Sequence, residues 1–202
     1  YEGGGLYCVL HSDPILNNVT IANNSAYEAS SLFSKLDANI ILVNSIIYSN
    51  LSSHIIKNTG GSISITYSNI SGAYTGSGNI DVDPSFIDSA NGDYRLSNFS
   101  PCIGSGLDTS IVPTYDLDGN PRPNPAGSNP DIGAFENSLA VPDVLGCMDS
   151  LSTNYNASAN LSDSSCTYCY AIADIGADTI SGCDSVLIST NTITNGSYSW
   201  NT

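Results

Sequence analysis

The sequence predicts an all-β chain whose repeats, residues 1–79, build a solenoid with one coil per copy. Three observations carry this: an internal repeat, apolar residues that alternate within each copy, and few good helix formers beside abundant Ile, Val, Thr and Tyr. At an offset of 26 residues, positions 1–24 lie over positions 27–50 and match Tyr1 with Tyr27, Glu2 with Glu28, Leu6 with Leu32 and Leu10 with Leu36. The same offset pairs Ile15 with Ile41, Leu16 with Leu42, Asn18 with Asn44 and Asn24 with Asn50. A weaker third copy, 23 residues on, sets Ile40, Leu42, Ser45 and Ile47 over Ile63, Ile65, Ser68 and Ile70.

Within the copies, Leu6, Cys8 and Leu10, then Leu32, Ser34 and Leu36, are expected on the inward face. One coil cannot bury such residues alone; stacked coils bury them as a column. The paired asparagines are expected at coil corners, where Asn tolerates left-handed backbone and stacked amides hydrogen-bond along the solenoid. Cys8 reads as a small buried residue, and His11 and Asp37 as matching loop residues without a partner.

Four Lys+Arg against nineteen Asp+Glu give a formal charge of -15. That balance repels phosphate backbones and anionic headgroups, so nucleic acid is excluded as a partner. No apolar run is long enough for a helix to cross a bilayer, so membrane insertion is not expected. An acidic, oxygen-rich surface suits hard cations such as calcium, and no organic cofactor is expected. Of six cysteines, Cys147, Cys166, Cys169 and Cys183 crowd into the C-terminal quarter, which reads as disulfide stapling in an oxidising compartment. Tyr1 begins inside a repeat and Thr202 follows an unfinished strand pattern, so the chain reads as a fragment, monomeric within a longer secreted or cell-surface protein.

The repeats lead into NIDVDPSFIDSANGDYRLSNFSPCIGSG, residues 79–106, and then DLDGNPRPNPAGSNPDIGAFE, residues 116–136. Asn91-Gly92 signals a tight turn between Phe86-Ile87 and Tyr94-Leu96. Phe86, Tyr94, Leu96, Phe99 and Ile103 are expected to cover the open end of the solenoid. These linked motifs resemble the closing segment of bacterial surface proteins built on a right-handed parallel β-helix of the pectate-lyase-like type. The resemblance spans about two thirds of the chain and implies that fold for residues 1–136, as last coils and cap. One departure is Gly104, where the pattern usually has Asp. Asp116-x-Asp118-Gly119-Asn120 resembles the opening of a calcium loop but lacks the bidentate Glu of an EF-hand.

Residues 137–145 read as a linker. GCMDSLSTNYNASANLSDSSCTY, residues 146–168, resembles a short GCxD…NYN…DxSC module of secreted proteins in marine and gliding bacteria, with Thr153 where a cysteine often stands. Cys147 with Cys166 is then the simplest disulfide, and Asp149, Asn154, Asn156 and Asp163 are candidate calcium ligands, as are Asp116 and Asp118. Residues 169–202, with Val186, Ile188, Tyr198 and Trp200, resemble the incomplete beginning of an immunoglobulin-like or PKD-like β-sandwich. Cys169 pairs there with Cys183, or Cys183 pairs outside the chain.

Lyase chemistry on such a fold needs an Arg or Lys base beside carboxylates or calcium, and hydrolysis needs closely set aspartates. The cations are Lys35, Lys57, Arg95 and Arg122, and Asp13 and Asp37 fall in loops, so no catalytic residue is assigned. Arg122, between two prolines, is expected in a structural salt bridge, and Lys35 at an exposed position. The expected function is a non-enzymatic, adhesin-like or polysaccharide-contacting surface scaffold. The alternatives are a carbohydrate-active enzyme with its catalytic coils upstream, and a structural spacer without a ligand.

Overall fold

A computed structural model of the chain describes residues 4–49 and 56–168, and they are nearly all β. Expectations for residues 169–202, including the β-sandwich, Cys169 and Cys183, lie outside the described residues. The chain divides into two compact units, residues 1–142 and residues 143–202.

In the first unit the chain visits the same three sheets three times. The first copy supplies β1 (Leu6–Val9), β2 (Ile15–Asn17) and β3 (Thr20–Ala22), and the second β4 (Leu32–Lys35), β5 (Asn39–Val43) and β6 (Ile46–Tyr48). The third supplies β7 (Ile56–Thr59), β8 (Ser62–Thr66) and β9 (Asn69–Ile70). Three parallel sheets result, ordered β1-β4-β7, β2-β5-β8 and β3-β6-β9. Their registers are those of the repeat: Leu6 on Leu32, Ile15 on Ile41, Ile21 on Ile47, then Leu42 on Ile65 and Ile47 on Ile70.

Alternation along these short strands sends Leu32, Leu42, Ile47, Ile65 and Ile70 into one buried cluster, with Leu6, Leu16, Ile21, Ile56, Ile63 and Tyr74 packed against it. Cys8, Ala38 and Ile40 fill the adjoining part of the interior. The inward expectation fails at Leu10 and Leu36, which are 67% and 51% exposed. Their strands end at Val9 and Lys35, and the following residues turn a corner in the left-handed region, at φ 54° and 53°.

Every copy turns its corners that way. Leu10, Leu36 and Gly60 mark the first, Asn18, Asn44 and Tyr67 the second, and Asn23, Ser49 and Gly72 the third, all at positive φ. The third copy takes its first corner one residue more tightly, because strand partners are 24 apart from β4 to β7 but 23 apart from β5 to β8. Gly61 permits this, since a Cβ there would lie 2.1 Å from the Ala38 carbonyl oxygen.

Ile80 pairs in parallel with Asn69 at the end of the repeats, but Phe86, Leu96 and Ile103 do not cover that end as expected; they fold along the side. Residues after Ser71 first close the interior, with Tyr74 in the buried cluster and its hydroxyl donating to Ile63 O at 3.1 Å. The expected hairpin follows, β10 (Phe86–Asp88) and β11 (Asp93–Leu96), antiparallel and joined by a single 3₁₀ turn that ends at Gly92 with φ 84°. Leu96, Cys102, Ile103 and Ile132 then bury against Ile46, the outward neighbour of Ile47 on β6, together with Tyr48, Phe86 and Leu139. Phe99 stays exposed.

In the second unit β12 (Leu145–Gly146) pairs in parallel with β13 (Leu161–Ser162), and a Cys147–Cys166 disulfide closes the module. Cys8 and Cys102 are free and buried.

Leu42→Ala, in the buried cluster, is expected to destabilise the first unit by about 2–5 kcal/mol, and Ile41→Ala, on the outward face, by about 0.5 kcal/mol. Urea denaturation of both variants checks the alternation. Reducing the 19-residue disulfide loop should remove about 3 kcal/mol from the second unit and expose residues 146–168 to protease while leaving the first unit intact. Limited proteolysis with and without reductant reads this.

Candidate functional site

Of the expected calcium ligands, all but Asp118 have side chains engaged by the protein. Asp116 Oδ1 accepts the N–H groups of Asp118 at 2.9 Å and Asn120 at 2.7 Å; Oδ2 accepts Asn120 Nδ2 at 3.0 Å and the Glu136 N–H at 2.9 Å. Burial opposes its ionisation, but these donors prevail and hold the carboxyl below its ordinary range. Asp116 thus ties the two ends of the 116–136 segment together, and Asp118 is exposed. In the second unit Asp149 accepts from the Leu151 N–H and the Tyr168 hydroxyl. Asn154 bonds Ser165 O and the Thr167 N–H, Asn156 accepts from the Ser158 N–H, and Asp163 accepts from the Ser165 N–H. The Asp149–Leu151, Asn156–Ser158 and Asp163–Ser165 bonds form turns, while Tyr168 and the Asn154 amide tie distant parts of the module together. Among the described residues no group of three or more His, Cys, Asp or Glu side chains is placed to hold a metal.

What the repeats bring together instead is a row on the outward face of the first sheet. Register sets Tyr7 on Phe33 on Lys57, and beside them Val9 on Lys35 on Thr59. The Tyr7 and Phe33 rings lie 5.2 Å apart between centroids. Lys57 Nζ stands 5.6 Å from the Phe33 centroid and Lys35 Nζ 6.0 Å, within cation–π range. Lys57 is also paired with Glu28. Lys35 is therefore not merely exposed; it shares a face with an aromatic ring and is half-buried against it. Two of the four basic residues of an otherwise acidic chain meet here. This pattern was open to detection by listing the residues between the inward positions of each copy, Tyr7, Phe33 and Lys57.

A second concentration of chemistry lies where the closing segment meets the corners. Asn44 presents its amide edge-on to Leu107, donating to its carbonyl at 2.9 Å and accepting its N–H at 2.8 Å. Asn69 treats Val82 likewise, and Asn18 Nδ2 donates to Asp131 O at 2.8 Å. The paired Asn18 and Asn44 do occupy left-handed corners, but their amides act as strand edges for the closing segment rather than stacking on one another. The corner ladder is made by serines: Ser45 Oγ accepts the Val19 N–H and Ser68 Oγ the Ser45 N–H.

Arg122 forms the expected salt bridge, to Glu136 at 2.7 Å, with both side chains buried. Asp131 is fully buried, with Oδ1 accepting the Gly104 N–H at 2.7 Å and Oδ2 the Asn137 N–H at 2.6 Å. Gly104 could not be Asp in this backbone: its φ is 60°, and a Cβ would lie 2.3 Å from the Ala140 carbonyl oxygen. Asp131 satisfies that turn from the other side. Burial, outweighing these hydrogen bonds, pushes the Asp131 carboxyl up to about 7. The Glu136 carboxyl is also raised by burial, with Arg122 pulling it back. Burial pushes the Cys102 thiol up to about 11 and raises that of Cys8, so neither is a ready thiolate nucleophile.

Because the Asp131 carboxyl titrates near 7 when folded and near its ordinary 3.8 when unfolded, the folded state holds the extra proton between those values. Its contribution to stability is full below the unfolded value, declines as pH rises toward 7 and is gone above it. Asp116 runs the other way, losing its contribution as pH falls through its depressed folded value. Urea midpoints taken from about pH 4 to about pH 8 should decline more steeply for the native chain than for Asp131→Asn.

Compared with known proteins, the chain matches no family model, no curated protein and no solved structure.

Proposed function

We propose that residues 1–136 are the last coils and lateral cap of a right-handed parallel β-helix, and that this unit is a non-enzymatic, polysaccharide-contacting scaffold of a secreted or cell-surface protein. The fold reading is supported by the three parallel sheets, each strand pairing with its equivalent in the next copy. The functional reading rests on one observation, the Tyr7–Phe33–Lys57 row with Lys35 beside it on the outer face of the first sheet. An extended polymer laid across the strands meets the exposed Tyr7 ring, backed by the buried Phe33, for the apolar face of a sugar and ammonium groups for its hydroxyl or carboxylate oxygens. Strand pairing fixes the spacing of these groups, so no ordering of loops opposes contact. Contact without turnover fits because Lys57 is held by Glu28, and an ion-paired ammonium donates hydrogen bonds rather than abstracting a proton.

The test is retention of the immobilised chain on a panel of acidic and neutral polysaccharides, with assay for unsaturated or reducing ends. Retention without product is expected, with Tyr7→Ala weakening it about fivefold and Lys35→Ala weakening it most on acidic polymers. Product formation would instead place a catalytic site on this face; absence of retention from the whole panel would leave a spacer.

A further inference from the structure

Two carboxylates, Asp131 and Glu136, share the buried seam of the closing segment with one guanidinium, Arg122. Asp131 is fully buried, and the Arg122 and Glu136 side chains are 1% and 0% exposed. Arg122 is paired with Glu136 at 2.7 Å, so an ionised Asp131 leaves one negative charge unmatched and away from water. The Cys102 thiol beside Asp131 is kept neutral by burial, and Asp116 acts on Arg122 and Glu136. Separate stretches of chain meet at Asp131. Its Oδ1 accepts the Gly104 N–H at 2.7 Å, its Oδ2 the Asn137 N–H at 2.6 Å, and its own N–H donates to Glu136 Oε1 at 2.9 Å. Its carbonyl accepts Arg122 Nη1 and, from the second corner of the first copy, Asn18 Nδ2. The apolar part of the seam is separate from the interior of the repeats. Leu96, Cys102, Ile103 and Ile132 bury against Ile46 and Tyr48, whereas no residue of 79–136 belongs to the cluster around Leu42.

We propose that Asp131 is a proton-operated latch: with its proton bound it holds residues 102–137 on the repeats, and proton loss lets them lift from the Asn18 corner and Ile46 while the three sheets stay paired. Opening brings the Asp131 carboxyl into water, where it gives up its proton, so the open seam carries one proton fewer than the closed one. Burial pushes the closed carboxyl up to about 7, and water returns it to its ordinary 3.8. The closed seam therefore has its full advantage below about pH 4, loses it as pH rises toward 7 and has none left to lose above. One proton released per opening raises the open fraction by at most about tenfold per pH unit in that window. Because the two buried clusters are separate, this opening uncovers the outer face of β6 and leaves the Leu42 interior closed. The latch belongs to the closing segment and does not rest on the polymer-contacting reading.

The test is amide hydrogen exchange of the full chain, read residue by residue by NMR from about pH 4 to about pH 8 and expressed as protection relative to the unfolded rate at each pH. The seam probes are the Gly104, Ile132 and Asn137 amides, bonded to Asp131 Oδ1, Cys102 O and Asp131 Oδ2. The sheet probes are Ile41 and Ser62, bonded to Pro14 O and Ala38 O. Seam protection is expected to fall by up to about tenfold per pH unit to about pH 7 and then level off, while sheet protection holds. Asp131→Asn should flatten the seam curve, with the sheet probes reporting that the repeats remain folded. The carboxyl carbon resonance of Asp131 gives a readout that needs no variant, and it is expected to titrate near 7. The inference is overturned if seam protection is flat in the native chain, if the sheet amides lose protection in step with the seam, if Asp131→Asn keeps the slope, or if Asp131 titrates at its ordinary 3.8.

Discussion

Among the described residues no strand in the repeats is longer than five residues, and such strands gain stability only by stacking in parallel on their own equivalents. Stacking is what makes Leu32, Leu42, Ile47, Ile65 and Ile70 inaccessible to water, because each copy alone leaves its inward residues open above and below. In-register pairing of like residues follows, and it propagates: once Leu42 sits on Ile65, Ile41 must face outward on Ser64. The surface rows are therefore consequences of the buried column. Tyr7, Phe33 and Lys57 align on the outside because Leu6, Leu32 and Ile56 align on the inside.

Corners impose the second constraint. A chain that must change direction three times within each copy needs left-handed residues, and only Gly and Asn enter that region at little steric expense. Asn18 and Asn44 meet that need while presenting an amide whose two ends match a peptide's own N–H and C=O, so the corner that turns the chain also receives the closing segment. Gly133, with φ 108°, lets the backbone of that segment approach Ile46, where a Cβ would lie 2.7 Å from its Cδ1. Leu10 and Leu36 hold the same backbone region without this advantage and stay exposed.

The stacking register was legible in the sequence because like residues recur at offsets of 26 and 23, and pairing of like residues is how parallel copies share a core. The hairpin at Asn91-Gly92 was legible for a local reason, the positive φ that Gly92 supplies. The path of the closing segment was not legible. Apolar Leu96, Ile103 and Ile132 announce burial but not against which face, and the partner that decides it, Ile46, is indistinguishable in sequence from its inward neighbour Ile47. The carboxylate that matters at the seam was equally hidden. Asp131 and Asp116 look alike in a proline-rich run, yet burial leaves one raised to about 7 while four donors hold the other low. That difference is set by burial, which outweighs the Gly104 and Asn137 N–H groups bonded to Asp131 and which only folding creates.

Folding also settles where a chain of charge -15 places its few cationic groups. Lys57 and Arg122 are each matched by one glutamate, Glu28 and Glu136, but in different dielectric settings. The Lys57 pair is partly open to water, where an ion pair is weak and its ammonium can still turn to a ligand oxygen. The Arg122 pair is buried, so the guanidinium is held in one plane, with Nη1 committed to Glu136 and Asp131 and Nε left over. A buried guanidinium held by its glutamate fixes the closing segment in place, whereas a partly exposed ammonium beside the tilted Tyr7 and Phe33 rings keeps its charge at the surface. The repeat and its closing segment thus use the same device, a cation matched by a glutamate, at the surface of the sheet and in the buried seam, from one folding solution.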